Sequence, residues 1–268
     1  MPVAMRAGHL VHWQDHESGG APERALAIHP VLAGAGAFAP LAGALEDVRL
    51  LTAFDLPGHG KSAGWDGRGD YHALATAIAA DFCNPPCDVI GHSLGATIAL
   101  RLALERPDRV KRLVLIEPVL FAAARGTAAL EAEERSARTF AAALELGDFE
   151  AAARAFIGRW GLGDTPWNAI PGGRRARIVA RMAIVAATRP VLHDDSAEML
   201  AQGRLEGLAC PVLLLEGAES PSVIGAINAA LGERIPHCRR VVLEGAGHML
   251  PITHADAVAR EIRAFVSV

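Results

Sequence analysis

Apolar positions along this chain follow two rhythms. Continuous apolar runs end or begin at turn formers over residues 88–90, 112–117, 211–216 and 240–243, and a run without alternation suits a strand covered on both faces. Between these runs, apolar residues recur at helical spacing. Leu74, Ile78 and Phe82 stand four apart in a helix over 71–82, and similar patterns cover 94–105, 223–231 and 255–266. Thr253, three residues before Asp256, predicts a cap for the last of these helices. Further strand-like runs over 6–13, 24–29 and 48–54 open the chain, the first two joined by a turn-rich segment at 15–22. Strands alternating with helices predict an α/β fold built on a mainly parallel, doubly wound sheet.

Residues 119–204 break this alternation. They are rich in Ala and Arg and read as several helices without a strand, with breaks at Gly147, at 161–171 and at Pro190. The pattern predicts a helical cap inserted into a core made of residues 1–118 and 205–268. One uncharged apolar stretch, 26–45, is long enough to suggest a membrane span. Pro30, Gly34, Gly36, Pro40 and Gly43 punctuate it, so a strand followed by a loop is expected there.

Composition narrows the class. With 268 residues, 51% of them apolar, the chain can bury the core of one large α/β domain carrying an insertion. A net charge of −4 without charge runs argues against a nucleic-acid surface. Residues 1–10 contain no apolar signal segment, so a cytoplasmic location is expected. Cys83, Cys87, Cys210 and Cys238 lack zinc spacing and read as free thiols. Neither a metal nor an organic cofactor is expected, the partner being a small-molecule substrate; homodimerisation stays open.

The chemistry concentrates at Gly91-His92-Ser93-Leu94-Gly95, which sits between a strand-like run and an apolar helix. A G-x-S-x-G pattern in that setting places a serine at a sharp strand-to-helix turn, where side chains two positions either side would collide. The hydroxyl then stands clear of the sheet, and the N-terminal N–H groups of the following helix face any oxyanion formed beside it.

Together with His29-Pro30, the turn Asp55-Leu56-Pro57-Gly58-His59-Gly60-Lys61-Ser62, and Gly245-Ala246-Gly247-His248-Met249, this motif resembles the landmarks of the α/β-hydrolase fold, in that family's order and spacing. The resemblance covers almost the whole chain and puts the insertion in the family's lid position. It implies a Ser–acid–His triad in which Ser93 is the nucleophile and His248 the general base. The family's commonest acid position, in a Gly-x-x-Asp-Pro turn, reads Gly217-Ala218-Glu219-Ser220-Pro221 here, with Ser220 where the aspartate is expected. A hydroxyl cannot supply the anion that steadies an imidazolium. Two carboxylates could replace it: Glu219, one residue early, and Glu117, at the end of the strand after the nucleophile helix, where haloalkane dehalogenases of the same family place their acid. The apolar flanks of Glu117 favour it.

The resemblance further implies an oxyanion hole from the backbone N–H groups of Leu94 and Val31, the latter after a His-Pro in place of the usual His-Gly. His29 is expected to fix that loop and, with His92, to border the substrate. Asp55, His59 and His254 read as structural. Phe121, Phe140, Phe149, Phe156, Trp160 and Trp167 either roof the pocket or pack the insertion, and Arg174, Arg175, Arg177 and Arg181 could bind an anionic substrate but read more simply as a solvated helix face. The expected activity is that of a serine hydrolase cleaving a small carboxylic ester through an acyl-enzyme. Hydrolysis of C–C bonds, lactones or amides stays open, as does a non-catalytic binding protein, which the missing aspartate motivates.

Overall fold

The structure, a computed structural model, describes residues 2–16, 23–160 and 166–267. It opens on a hairpin of β1 (Val3–Arg6) and β2 (His9–His16), joined by Ala7 and Gly8 at φ 45° and 78°. Two central residues at positive φ match the twist of paired antiparallel strands. The expected single strand over 6–13 therefore runs across a turn, because Ala-Gly carries little turn signal between apolar neighbours. Residues 17–22 of the expected turn-rich segment lie outside the described residues.

The chain continues through β3 (Arg24–Ile28), α1 (Ala39–Ala44), β4 (Leu50–Phe54), α2 (Tyr71–Phe82), β5 (Cys87–His92), α3 (Leu94–Glu105) and β6 (Val110–Ile116). Where a loop was expected before residue 45, a 3-10 turn at Ala35–Phe38 leads into α1, and Pro40 in its first turn satisfies a position that needs no N–H donor. After β6 come α4 (Ala128–Ser136), α5 (Arg138–Glu145), α6 (Phe149–Trp160), α7 (Gly172–Ala180) and α8 (Met182–Asp194). Then β7 (Val212–Gly217), α9 (Ser222–Arg234), β8 (Cys238–Leu243), α10 (Leu250–Thr253) and α11 (Ala255–Val266) complete the chain. Among the described residues the sheet has eight strands in the order β1-β2-β4-β3-β5-β6-β7-β8, antiparallel at β1–β2 and β2–β4 and parallel elsewhere.

The unbroken apolar runs acquire their reason here. On β6, Leu113 and Leu115 join the layer under α2, α3 and α9, while Val114 and Ile116 join the layer under α1 and α11. Successive residues point to opposite faces, and both faces are covered. Successive strands are added on opposite sides of β3, β4 on one and β5 on the other, so the loops at the carboxyl ends of β3 and β5 splay apart and leave a crevice.

Two helix-end expectations change. His254 is the N-cap of α11 with no side-chain cap bond, and the Thr253 hydroxyl donates to Met249 O at 3.3 Å. Thr253 still belongs to α10, so its hydroxyl turns back on its own helix. Pro190 does not break the chain but lies inside α8. Buried Thr188, Val191 and Leu192 flank it, and their packing outweighs a penalty of about 3 kcal/mol for an interior proline. Gly147, at φ 71°, does separate α5 from α6; of the break expected at 161–171, residues 161–165 lie outside the described residues. Among the described residues no helix is long and apolar enough to cross a membrane.

Candidate active site

Ser93 ends the turn between β5 and α3 at φ 56° and ψ −117°, a conformation that an L-residue adopts only under constraint. The constraint is visible on both sides. A Cβ on Gly91 would sit 2.3 Å from Gly95 O, and a Cβ on Gly95 would sit 2.0 Å from Ile28 O on the neighbouring strand. The Ser93 N–H is tied to Ile116 O at 2.9 Å. Strand and helix thus meet with no space for a side chain at either glycine, and the serine side chain is forced outward.

His248 follows β8, and its Nε2 lies 3.1 Å from Ser93 Oγ. Its Nδ1 lies 2.9 Å from Glu117 Oε2. Glu117 follows the last residue of β6 at φ 52° and is fully buried. Its second oxygen accepts from Gly217 N at 2.6 Å and from Ser220 Oγ at 2.7 Å. A buried carboxylate with three hydrogen-bond donors around it is a satisfied anion. Glu219, by contrast, is exposed and its carboxylate has no polar partner among the described residues. Of the two carboxylates weighed from sequence, Glu117 is the one that reaches the imidazole.

Val31, Ser93, Leu94 and His248 all border one cavity of about 390 Å³. Leu94 is the first residue of α3, so its N–H has no acceptor within the helix. Phe121, Phe140, Phe156 and Trp160 line the cavity from the segment between β6 and β7. Trp160 meets the His248 ring edge-on with centroids 4.8 Å apart. Phe149 and Trp167 do not border it; Trp167 packs with Ile178 and Met182 in a separate small core.

Neither His29 nor His92 lines the cavity, which alters the expectation that they border the substrate. His92 is buried and donates from Nε2 to the backbone carbonyl of His248 at 2.8 Å. Burial, and then the neighbouring His248, push its pKa down to about 3, so it is a neutral donor fixing the His248 loop. His29 accepts the Leu56 N–H at 2.9 Å through Nε2 and donates from Nδ1 to Pro30 O at 2.8 Å. Its burial lowers its pKa to about 4. His59 accepts the Leu32 N–H at 3.2 Å, and Leu32 stands at φ 68°. Asp55 receives the N–H groups of Ala35 and Lys61 at 2.7 and 2.9 Å; burial raises its pKa, but these donors and His12 hold it below the usual range. Together these groups shape the loop that carries Val31.

Sequence reasoning missed two contributors. Ser220 looked like a loss and is a hydrogen-bond donor to Glu117. Arg181 looked like part of a solvated face, yet it is half-buried and donates to Gly58 O at 3.2 Å and Leu32 O at 3.3 Å. Neither contact has a sequence signal, since each joins segments far apart in the chain. Among the described residues no group of His, Cys, Asp or Glu is arranged to hold a metal ion.

Known proteins carry the same architecture. The chain matches the alpha/beta hydrolase family over residues 26–261. It is 33% identical over 220 residues to the pimeloyl-[acyl-carrier protein] methyl ester esterase of Neisseria meningitidis, covering 81% of this chain and 82% of that one. It is 29% identical over 254 residues to the lipase LipV of Mycobacterium tuberculosis, covering 90% and 92%. Among solved structures, the enol-lactonase from Burkholderia xenovorans superposes over 100% of both chains with a TM-score of 0.73 at 20% identity, a likeness of fold. A nearly full-length family match and esterase relatives at this identity leave one conclusion: the chain belongs to the alpha/beta hydrolase family and is a hydrolase, with ester hydrolysis as its family-level activity.

Proposed function

We propose that the chain is a serine hydrolase that cleaves a small carboxylic ester through an acyl-enzyme, with Ser93 as nucleophile, His248 as general base and Glu117 as the acid. One observation carries this reading: the unbroken line from Ser93 Oγ through the His248 ring to Glu117, at 3.1 and 2.9 Å.

A serine hydroxyl is a weak nucleophile at neutral pH, so its proton must leave as the new bond forms. His248 Nε2 takes that proton while Ser93 Oγ attacks the ester carbonyl. The imidazolium that results is steadied by the Glu117 anion at Nδ1. The carbonyl oxygen becomes an oxyanion, and the N–H groups of Leu94 and Val31 receive it. Collapse of the tetrahedral species breaks the C–O bond to the alcohol, which leaves with the proton from His248. Water then gives its proton to His248 and its oxygen to the acyl carbon. The acid is released, and Ser93 recovers its proton. No step uses a metal or an organic cofactor.

Residues 119–204 act in this reading as a cap over the core formed by 1–118 and 205–268. Support comes from the cavity, whose walls above Ser93 are drawn largely from α4, α5, α6 and α8. A methyl ester esterase and a lipase among the relatives favour carboxylic esters over other bonds.

The test is labelling with a fluorophosphonate, paired with hydrolysis of p-nitrophenyl acetate. Wild type should label and release p-nitrophenolate, and Ser93→Ala should do neither. An unlabelled wild type, folded by circular dichroism, overturns the proposal.

A further inference from the structure

Helix α8 brings two ionisable side chains to the cavity wall four residues apart, Arg189 and His193, which places them on one helix face; the third polar side chain it contributes, Thr188, donates its hydroxyl proton to Val185 O. Arg189 is half-buried, and its guanidinium makes no hydrogen bond or ion pair with any described residue. His193 stacks on Phe121 with ring centroids 4.6 Å apart and planes 21° apart. Burial and then the Arg189 charge push its pKa down to about 4. At neutral pH it is therefore an uncharged imidazole with an N–H to donate.

The other charged groups on the wall are accounted for. Buried Glu133 is paired with Arg159, while Glu134, Arg138 and Glu145 are exposed at the rim. Arg189 is thus the one cation on the wall, among the described residues, that is neither paired nor exposed. The same wall carries the apolar side chains of Val185, Leu192 and Phe121. Holding a guanidinium against such a surface without a counter-ion costs desolvation energy. The planar fork of an arginine matches a carboxylate in two parallel hydrogen bonds. A ligand that brings its own carboxylate would complete the site.

We propose that Arg189 and His193 form an anion subsite of the catalytic cavity, and that the ester cleaved here carries a carboxylate remote from the scissile carbonyl, as a monoester of a dicarboxylic acid does. Arg189 pairs with that carboxylate, and the His193 N–H adds a third donor. The inference rests on the ester-hydrolase reading for its chemistry and on the unpaired arginine for its substrate class.

The experiment compares kcat/KM for monomethyl adipate and for methyl hexanoate, esters of matched length with and without the carboxylate, in each protein. Wild type should prefer the carboxylate ester by about tenfold or more, the scale of one charge-assisted pair. Arg189→Met should abolish that preference, Arg189→Lys should retain part of it, and Arg189→Glu should invert it. Binding of adipate itself, measured by calorimetry, should weaken about tenfold or more in Arg189→Met, and this arm does not depend on turnover. Circular dichroism confirms that each variant is folded. A wild type that favours neither ester, or a preference that survives Arg189→Met, overturns the subsite while leaving the hydrolase reading intact. Adipate binding lost in Arg189→Met, in a protein that labels with no fluorophosphonate and cleaves no ester, supports the subsite and overturns the chemistry.

Discussion

Ser220 Oγ donates a 2.7 Å hydrogen bond to Glu117 Oε1. The hydroxyl standing where the family pattern places an aspartate thus contacts the carboxylate that reaches His248 from the adjacent strand. An aspartate at 220 would bring a second anion against Glu117, whereas serine brings a proton donor. The two departures from the common pattern, a buried carboxylate after β6 and a serine in place of the aspartate after β7, therefore meet in one hydrogen-bonded arrangement.

Glu117→Gln should lower kcat by about 10³- to 10⁴-fold, because an amide cannot stabilise the imidazolium and disturbs the tautomer of His248. Glu219→Gln should stay within about twofold of wild type, as an exposed loop change. Steady-state kinetics on p-nitrophenyl acetate decides between them, and the reverse ranking would exclude Glu117 as the acid.

Ser220→Ala removes one donor from a buried anion, a loss of about 1.5–3 kcal/mol where it is not replaced by water. Thermal denaturation should show a lowered Tm, and kcat should fall about tenfold with KM nearly unchanged. Equal activity in Ser220→Ala and wild type would show that Gly217 N alone orients the carboxylate.

Gly95→Ala should be among the most damaging single changes. Its Cβ would lie 2.0 Å from Ile28 O and 2.8 Å from His29 O, both backbone atoms that cannot rotate away. Urea unfolding should show a loss of about 3 kcal/mol or more. Gly43→Ala, where a Cβ meets nothing within 4 Å, is the control and should be close to neutral.

Acid should destabilise the fold through three buried histidines. Burial holds His29 at about 4, and His72 and His92 at about 3, all below the value near 6.5 of an unfolded chain. The unfolded state then binds protons first as pH falls. Stability is full above pH about 6.5, declines through pH 5, and stops declining only below pH about 3. A tenfold change in proton affinity is about 1.4 kcal/mol, so His29 alone contributes on the order of 3 kcal/mol at the acid end. Urea midpoints measured at pH 7, 5.5 and 4 should fall in that order, and His72→Gln should flatten the slope. A midpoint that is flat from pH 7 to 4 would contradict neutral burial of these rings.

Arg181→Met should free the loop that carries Val31, since the guanidinium holds Leu32 O and Gly58 O. The expected signature is a drop in kcat of about tenfold with a smaller change in KM, because an oxyanion donor acts in the transition state. A change confined to Tm would mark Arg181 as structural only.

The stretches legible in sequence share a feature: their geometry is set by near neighbours. Helices at 71–82, 94–105 and 255–266 follow from apolar spacing, and their ends agree with the structure. The glycines around Ser93 advertise a turn that tolerates no side chain. Where the reading went astray, a distant segment had intervened. Pro190 stays helical because the residues beside it are buried. Thr253 misses its capping role because α10 claims it. His92 turns to the His248 carbonyl.

What the sequence determined by itself is the alternation of strands and helices from β4 to β8, the serine at the strand-to-helix turn and the histidine loop after the last strand, for each is written in the spacing of residues within one short segment. Only the tertiary structure decided which carboxylate lies within hydrogen-bond reach of His248, that Ser220 donates to it, and that Arg181 holds the loop near Val31 while Arg189 faces the cavity. Those relationships depend on which segments lie side by side at the carboxyl edge of the sheet, and neighbours across a parallel sheet are brought together by strand order and register, which local spacing does not encode.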